Sequence, residues 1–180
     1  DADDADDTTR SFTFGELESR SNRWAQVLHA RGIRRGDRLA FLLPNCVEII
    51  DLWLACVKLG VIVVPVNVLY QSREIAHIIG DAEPVAVVTT AERVGDLPTG
   101  VPAWLAGDLV RGASALIELG GRPSIVRATV CDASTPLALV YTSGTTGASQ
   151  GAVLTHGSFA SNALMLNASW GMQASDRLLC

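Results

Sequence analysis

The sequence predicts an α/β fold in which a mostly parallel sheet is flanked by helices. Two observations predict it. Short apolar segments at 39–43 and 61–66 enclose a helix-length segment at 47–59, with short connections between them. The alternation then repeats, with a predicted helix at 72–80 and a predicted strand at 84–89. Because strand, helix and strand in this order form a parallel βαβ unit, the repetition predicts a single parallel sheet.

The first predicted helix begins after Thr13. Thr13 and Glu16 have the spacing of a capping box, in which a hydroxyl and a carboxylate bond the free backbone N–H groups of the first turn. Apolar residues then recur at roughly helical spacing: Phe14, Leu17, Trp24, Val27 and Leu28. Gly32 is the expected end of this helix.

The second half of the chain is predicted to be less regular. Glycine and proline residues interrupt the stretch 91–132, where we predict one helix at 114–119. A strand follows at 137–141, then a short strand at 152–154 and a helix at 158–170. A further apolar element begins at residues 178–179, just before the last residue, so we expect the domain to be incomplete.

The charge distribution argues against two classes of partner. The formal net charge is −5, but five of the 19 acidic residues lie within the first seven positions. The remaining 14 acidic residues balance the 14 basic ones, so nothing suggests a nucleic acid or an anionic membrane surface as partner. No stretch approaches the roughly 20 apolar residues of a membrane span. We expect residues 1–10 to be an acidic disordered tail and residues 11–180 to be the incomplete α/β domain.

The cysteines indicate a reducing compartment. They are scattered and form neither a CxxC pair nor a zinc-like spacing with histidine: Cys46, Cys56, Cys131 and Cys180. We interpret them as reduced thiols, some of them buried, in a cytoplasmic protein.

The segment at 141–151, YTSGTTGASQG, is the main candidate for a functional site. Eight of its eleven residues are Gly, Ser or Thr, and it follows a predicted strand. Such a loop offers backbone N–H groups and hydroxyls that can surround a phosphate chain. It has neither the Gly-Lys-Ser/Thr end of a Walker A loop nor the spacing of GxGxxG. Composition alone leaves a phosphate-binding loop and a plain surface loop equally open.

The literal residues of this segment resemble the signature of the adenylate-forming superfamily. YTSGTTG at 141–147 is followed by GAVLTH at 151–156, where that superfamily has a short apolar strand and often Thr-His. Further segments resemble the superfamily upstream: TFGEL at 13–17, LPNCVE at 43–48, LGVIVVPVN at 59–67 and EIAHII at 74–79. The superfamily contains acyl-CoA synthetases, peptide-synthetase adenylation domains and firefly-type luciferases. The likeness, which begins at Ser11, is greatest to an acyl-CoA synthetase and implies the N-terminal portion of its large domain.

The resemblance implies a two-step reaction. A carboxylate attacks the α-phosphorus of ATP and releases pyrophosphate, and the acyl-adenylate then passes to the thiol of coenzyme A. The expected ligands are ATP, Mg²⁺, coenzyme A as co-substrate and a small carboxylic acid, and a homo-oligomer is compatible with the sequence. The resemblance assigns the β- and γ-phosphates to Thr142, Ser143, Gly144, Thr145, Thr146 and Gly147. It also places Thr142 near the magnesium ion.

One departure from the superfamily falls inside the loop. The usual Pro-Lys-Gly is replaced here by Ser149-Gln150-Gly151. Gln150 can still donate hydrogen bonds to phosphate but carries no charge, so we expect ATP and pyrophosphate to be held less well, by about 1–3 kcal/mol.

Other parts of the usual active site have no counterpart in this chain. The superfamily's later motifs, including a magnesium-binding glutamate and a catalytic lysine, are not found, so we assign no catalytic residue and expect the chain alone to be inactive. Two alternatives stay open: a peptide-synthetase adenylation domain, and a non-catalytic remnant or scaffold that keeps the fold. For the histidines we expect a structural role at a strand end for His156 and surface or packing roles for His29 and His77.

Overall fold

Helices and strands alternate along the chain in the computed structural model, which describes residues 11–118, 130–142, 149–173 and 176. The strands are β1 (Arg38–Leu42), β2 (Ile62–Pro65), β3 (Ala86–Thr89), β4 (Ala103–Leu105), β5 (Pro136–Thr142) and β6 (Gln150–Thr155). The helices are α1 (Phe14–Ala30), α2 (Val47–Leu59), α3 (Ser72–Ala82), α4 (Ala106–Glu118) and α5 (His156–Trp170), with a 3₁₀ helix at Ala91–Asp96. The predicted acidic tail at 1–10 lies outside the described residues.

The strands form one sheet in the order β4-β3-β1-β2-β5-β6. Every neighbouring pair is parallel except β5 and β6, which form an antiparallel hairpin at one edge. The prediction of an α/β fold with a mostly parallel sheet is therefore confirmed. The carboxyl ends of β1, β2, β3 and β5 consequently lie along one edge of the sheet.

The central strands are buried on both faces, which explains why they read as apolar runs rather than as alternating patterns. On one face, Leu39, Val63 and Val88 pack with α1, α2 and α4. On the other, residues such as Ala40 and Val64 pack against α3. Successive strand residues point to opposite faces, so each strand contributes to both cores.

The capping box of α1 forms as predicted. The Glu16 backbone N–H donates to the Thr13 hydroxyl at 3.2 Å, and the Thr13 N–H donates to the Glu16 carboxylate at 2.7 Å. The Thr13 N–H and then the Thr13 hydroxyl, which both donate to the Glu16 carboxylate, hold the pKa of Glu16 below its ordinary value. Helical spacing alone does not bury every apolar residue of α1: Phe14 is 91% exposed, because it lies in the first turn, well before Ser21, the first buried residue of the helix.

Residues 91–118, which belong to the stretch predicted to be irregular, are more ordered than their composition suggests. They contain the 3₁₀ helix, β4 and α4, and α4 begins at Ala106 rather than at residue 114. Two glycines lie within α4, but its buried residues Leu109 and Ala113 pack into the core beside α1. A Cβ at Gly112 would lie 3.5 Å from the Val27 side chain, an ordinary contact distance, so α1 and α4 lie side by side here. Tertiary packing here outweighs low helix propensity.

In the part of the chain that the structure describes, no helix is both long enough and apolar enough to cross a membrane.

Candidate functional site

The β5–β6 hairpin carries the ends of the predicted phosphate loop to the carboxyl edge of the sheet. Thr142 is the last residue of β5 and Gln150 the first of β6, and the two are paired across the strands. The two ends of the loop thus lie where they were expected, at the carboxyl end of β5. Five predicted site residues lie outside the described residues, and their role stays a prediction: Ser143, Gly144, Thr145, Thr146 and Gly147.

Thr142 and Gln150 are both exposed at the end of the hairpin. Directly paired residues project from the same face of a sheet, so the Thr142 hydroxyl and the Gln150 amide lie on one side of the hairpin end. Both groups can donate hydrogen bonds, and neither carries a charge. Chemically, this end of the hairpin can offer neutral donors to an anion.

Tyr141, one residue before Thr142, points the other way into the core beneath α3. Its side chain is 6% exposed and packs with the buried isoleucines of that helix. Its hydroxyl donates to the carboxylate of Asp81 on α3. Burial, reinforced by the neighbouring carboxylate, raises the pKa of Tyr141 well above its ordinary value.

Gly151 faces Tyr141 across the hairpin, and it has a packing reason to be glycine. A Cβ built at this position would lie 2.9 Å from Leu139 Cδ1 and 3.0 Å from Tyr141 Cζ. Both distances fall at or below the limit of real Cβ contacts. The last glycine of the Gly/Ser/Thr segment therefore lets β6 lie against the Tyr141 ring.

His77 contacts the hairpin just before β6 begins. The surface or packing role predicted for this histidine did not include such a contact. Its Nε2 lies 2.8 Å from the backbone oxygen of Ser149, the residue just before β6. A carbonyl oxygen only accepts, so Nε2 is the protonated donor in this hydrogen bond. The sequence signal for this contact is weak: His77 and Asp81 are four residues apart and thus on one helix face, but nothing in their pattern points to residues 141–149.

His156 lies where β6 passes into α5, the strand end at which a structural role was predicted. Its backbone N–H donates to the Thr135 carbonyl at 3.0 Å. Thr155 caps the helix, accepting from the Ser158 N–H at 3.2 Å. Exposed His29 lies in the last turn of α1, remote in sequence from the hairpin.

Tyr141→Phe tests the hydrogen bond that joins β5 to α3. We expect a loss of about 1 kcal/mol of unfolding free energy at neutral pH, since Asp81 is exposed and water can replace the hydroxyl. The folded-state pKa of Tyr141 is raised, so its contribution is complete below the unfolded-state pKa of about 10 and declines as pH rises above it. The variant should therefore lose less stability than the unmodified protein between neutral and strongly alkaline pH. Denaturant titrations across that range measure the difference.

The chain's other tyrosine provides the control for this prediction. Tyr70 lies in the connection before α3, and Tyr70→Phe removes a tyrosine hydroxyl while leaving the hydrogen bond between Tyr141 and Asp81 in place. Equal alkaline slopes for Tyr141→Phe and the unmodified protein would contradict the prediction.

Comparisons with known proteins identify relatives of this chain. The long-chain-fatty-acid–CoA ligase FadD13 of Mycobacterium tuberculosis is 36% identical over 178 residues, covering 93% of this chain and 34% of its own length. The chain thus spans about a third of that relative, and further relatives are also CoA ligases or synthases.

Two solved structures share the fold. ATP-bound MatB from Rhodopseudomonas palustris has a TM-score of 0.79 and 32% identity, covering 93% of this chain and 34% of MatB. The complex of VinN with 3-methylaspartate has a TM-score of 0.83 and 26% identity, covering 94% of this chain and 47% of VinN. Residues 2–180 match the family described as AMP-binding enzyme, and the chain therefore belongs to that family of adenylate-forming proteins.

Proposed function

We propose that this chain supplies the phosphate-binding part of an ATP-dependent acid–CoA ligase. The reaction would activate a carboxylic acid as its acyl-adenylate and then form a thioester with coenzyme A. One observation carries the proposal: exposed Thr142 and Gln150 are paired at the carboxyl edge of the sheet, at the two ends of a loop reading SGTTGAS. A structural relative with 32% identity has been solved with ATP bound.

The donors near the loop fit a polyanion. Phosphoryl and adenylyl transfer depend on holding and neutralising phosphate charge in a fixed position. In the proposal, the Thr142 hydroxyl, the Gln150 amide and the loop residues Ser143, Gly144, Thr145, Thr146 and Gly147 donate to the β- and γ-phosphates. These groups orient the triphosphate and take no part in bond making, so none is assigned as a catalytic residue.

For Mg²⁺, the described residues offer a hydroxyl ligand but no cluster of carboxylates. Mg²⁺ takes oxygen ligands and is commonly bound by one or two carboxylates together with substrate phosphates. The Thr142 hydroxyl is the ligand we assign to it. Within the described ranges, no group of three or more His, Cys, Asp and Glu side chains is placed to hold a metal. The magnesium ion would thus arrive with the nucleotide and depend on its phosphates.

We also propose a class of carboxylic acid substrate and a cellular compartment. FadD13 is named for long-chain fatty acids, so a long-chain fatty acid is the first acid to test. We also propose a cytoplasmic location. In the described part of the chain, Cys46, Cys56 and Cys131 are free thiols, and burial raises the pKa of Cys56 far enough to keep it protonated and unreactive.

Calorimetry with MgATP tests the proposal. It should be carried out on the 180-residue chain and on the full-length protein, with Thr142→Val as the diagnostic variant. We expect the full-length protein to bind MgATP and Thr142→Val to bind it several-fold more weakly, because the variant removes one donor and one magnesium ligand. Thr99→Val is the matched control: Thr99 is exposed and lies before β4, at the opposite edge of the sheet.

Absence of MgATP binding in both proteins would overturn the proposal. That result would favour the alternative of a non-catalytic scaffold, which neutral Gln150 at a position usually occupied by lysine already allows. Acid-dependent pyrophosphate exchange provides the second readout. We expect it in the full-length protein and not in the 180-residue chain.

A further inference from the structure

We propose that α3 is a positioning element that holds both strands of the β5–β6 hairpin through His77 and Asp81. This inference deepens the proposed function, because the same two strands carry the proposed phosphate loop. The two side chains lie four residues apart and so project from one side of the helix. His77 contacts Ser149, just before β6, and Asp81 contacts Tyr141 in β5, just before Thr142.

The β6 side is held through the backbone. His77 Nε2 donates to the Ser149 carbonyl at 2.8 Å, one residue before Gln150. A contact to a main-chain carbonyl fixes the path of the chain rather than the rotamer of a side chain. It therefore sets where β6 begins.

The β5 side is held through a buried ring. The Tyr141 hydroxyl donates to Asp81, and the ring lies among Ile75, Ile78 and Ile79 of α3. Gly151, paired with Tyr141, leaves no side chain between the ring and β6. The Tyr141 ring thus lies between α3 and both strands of the hairpin.

The hairpin needs such support because of its place in the sheet. β6 is an edge strand whose partner is β5. Among the described residues, β5 pairs with β2 in parallel at Ala138 and Val63, four residues before Thr142. The loop end of the hairpin, at Thr142 and Gln150, therefore extends beyond the position where β5 pairs with β2. α3 contacts the hairpin there.

α3 is well placed to act as a fixed reference. Its residues Ile75, Ile78, Ile79 and Ala82 are buried, so the helix is tied into the core. His77 and Asp81 are exposed and point to the hairpin rather than into that core. Substituting them should change the hairpin without unfolding the helix.

Hydrogen–deuterium exchange on the peptide 141–151 tests the inference in the full-length protein. We expect His77→Ala to speed exchange in this peptide about five-fold, the effect of losing one hydrogen bond. His77→Gln should return exchange towards that of the unmodified protein, because its amide N–H can donate to the same carbonyl. His29→Ala, an exposed histidine in another helix, is the matched control and should have no effect.

The Asp81 variants make the second arm of the test. Asp81→Ala should speed exchange in the same peptide, and Asp81→Asn should have less effect because its amide oxygen still accepts from the Tyr141 hydroxyl. Unchanged exchange in both alanine variants would overturn the inference.

MgATP affinity, measured on the same variants, separates this inference from the proposed function. If His77→Ala speeds exchange and weakens MgATP binding, with both restored by His77→Gln, the positioning role and the nucleotide role are supported together. If exchange rises while MgATP binding is unchanged, the positioning role stands and the nucleotide role of the hairpin fails.

Discussion

Replacing Arg20 by methionine is expected to lower the free energy of unfolding by about 3–5 kcal/mol. Arg20 on α1 reaches Asp51 on α2, with Nε 2.9 Å from Oδ1 and Nη2 2.5 Å from Oδ2. Asp51 is fully buried, whereas Arg20 is partly exposed and also lies 4.8 Å from the centre of the Phe12 ring. The pair joins two of the three helices that pack on this face of the sheet.

The asymmetry of burial makes the arginine substitution the informative one. Methionine preserves much of the aliphatic stem of Arg20 but removes the donors, so a buried carboxylate is left unpaired. Leaving a charge in the core costs far more than the net contribution of the pair itself. Urea denaturation at neutral pH, with slope and midpoint fitted separately, measures the loss.

Two further variants test this explanation. Arg20→Met combined with Asp51→Leu should recover most of the loss, because the double variant leaves no charge behind. Arg35→Met, in an exposed turn, should change stability by no more than about 0.5 kcal/mol. A double variant as unstable as Arg20→Met alone would show that the unpaired carboxylate is not the cause.

Elements with strong local signals could be predicted from the sequence. Local sequence patterns predict the capping box of α1, the apolar runs of β1 to β3 and the helices between them. β4 has only three residues, too few to show a period, and α4 contains glycines that its packing beside α1 tolerates. Those two elements depend on contacts that the local pattern does not contain.

The direction of β6 was within reach of sequence reasoning. Seven residues, 143–149, separate β5 from β6, and a parallel crossover needs a dozen or more. The short connection therefore required an antiparallel pair. The position of β5 beside β2 had no such signal, since long connections leave the neighbour of a strand undetermined.

The candidate site likewise has features that the local sequence predicts and others that it does not. A resemblance over seven literal residues made 141–147 the candidate loop, and the position of its two ends, Thr142 and Gln150, at the carboxyl edge followed from the parallel sheet. The contact between His77 and Ser149 joins residues 72 positions apart and depends on how α3 lies over the hairpin. Composition placed Gly151 at the end of the candidate segment, and the structure adds a packing reason for the glycine, since a Cβ there would lie 3.0 Å from Tyr141 Cζ.

Gln150→Lys should strengthen MgATP binding by the full-length protein by about 1–3 kcal/mol, which corresponds to about 5- to 150-fold in affinity. This prediction rests on the proposed function. Gln150 is exposed and begins β6 at the edge of the sheet, opposite Thr142, so a lysine can be accommodated without displacing core residues. A neutral amide donor would be replaced by an ammonium group, whose hydrogen bonds to phosphate are about twice as strong.

A control variant must separate the effect of a lysine at position 150 from the effect of one added positive charge on β6. Val153→Lys adds the same charge to β6 at an exposed position three residues on, which faces the opposite side of the strand. That control should leave MgATP affinity nearly unchanged, and raising the ionic strength should reduce the gain of Gln150→Lys. Equal affinities for Gln150→Lys, Val153→Lys and the unmodified protein would mean that residue 150 does not face the phosphates. Because Thr142 lies directly across from it, that outcome would also remove the geometric support for phosphate binding at this end of the hairpin.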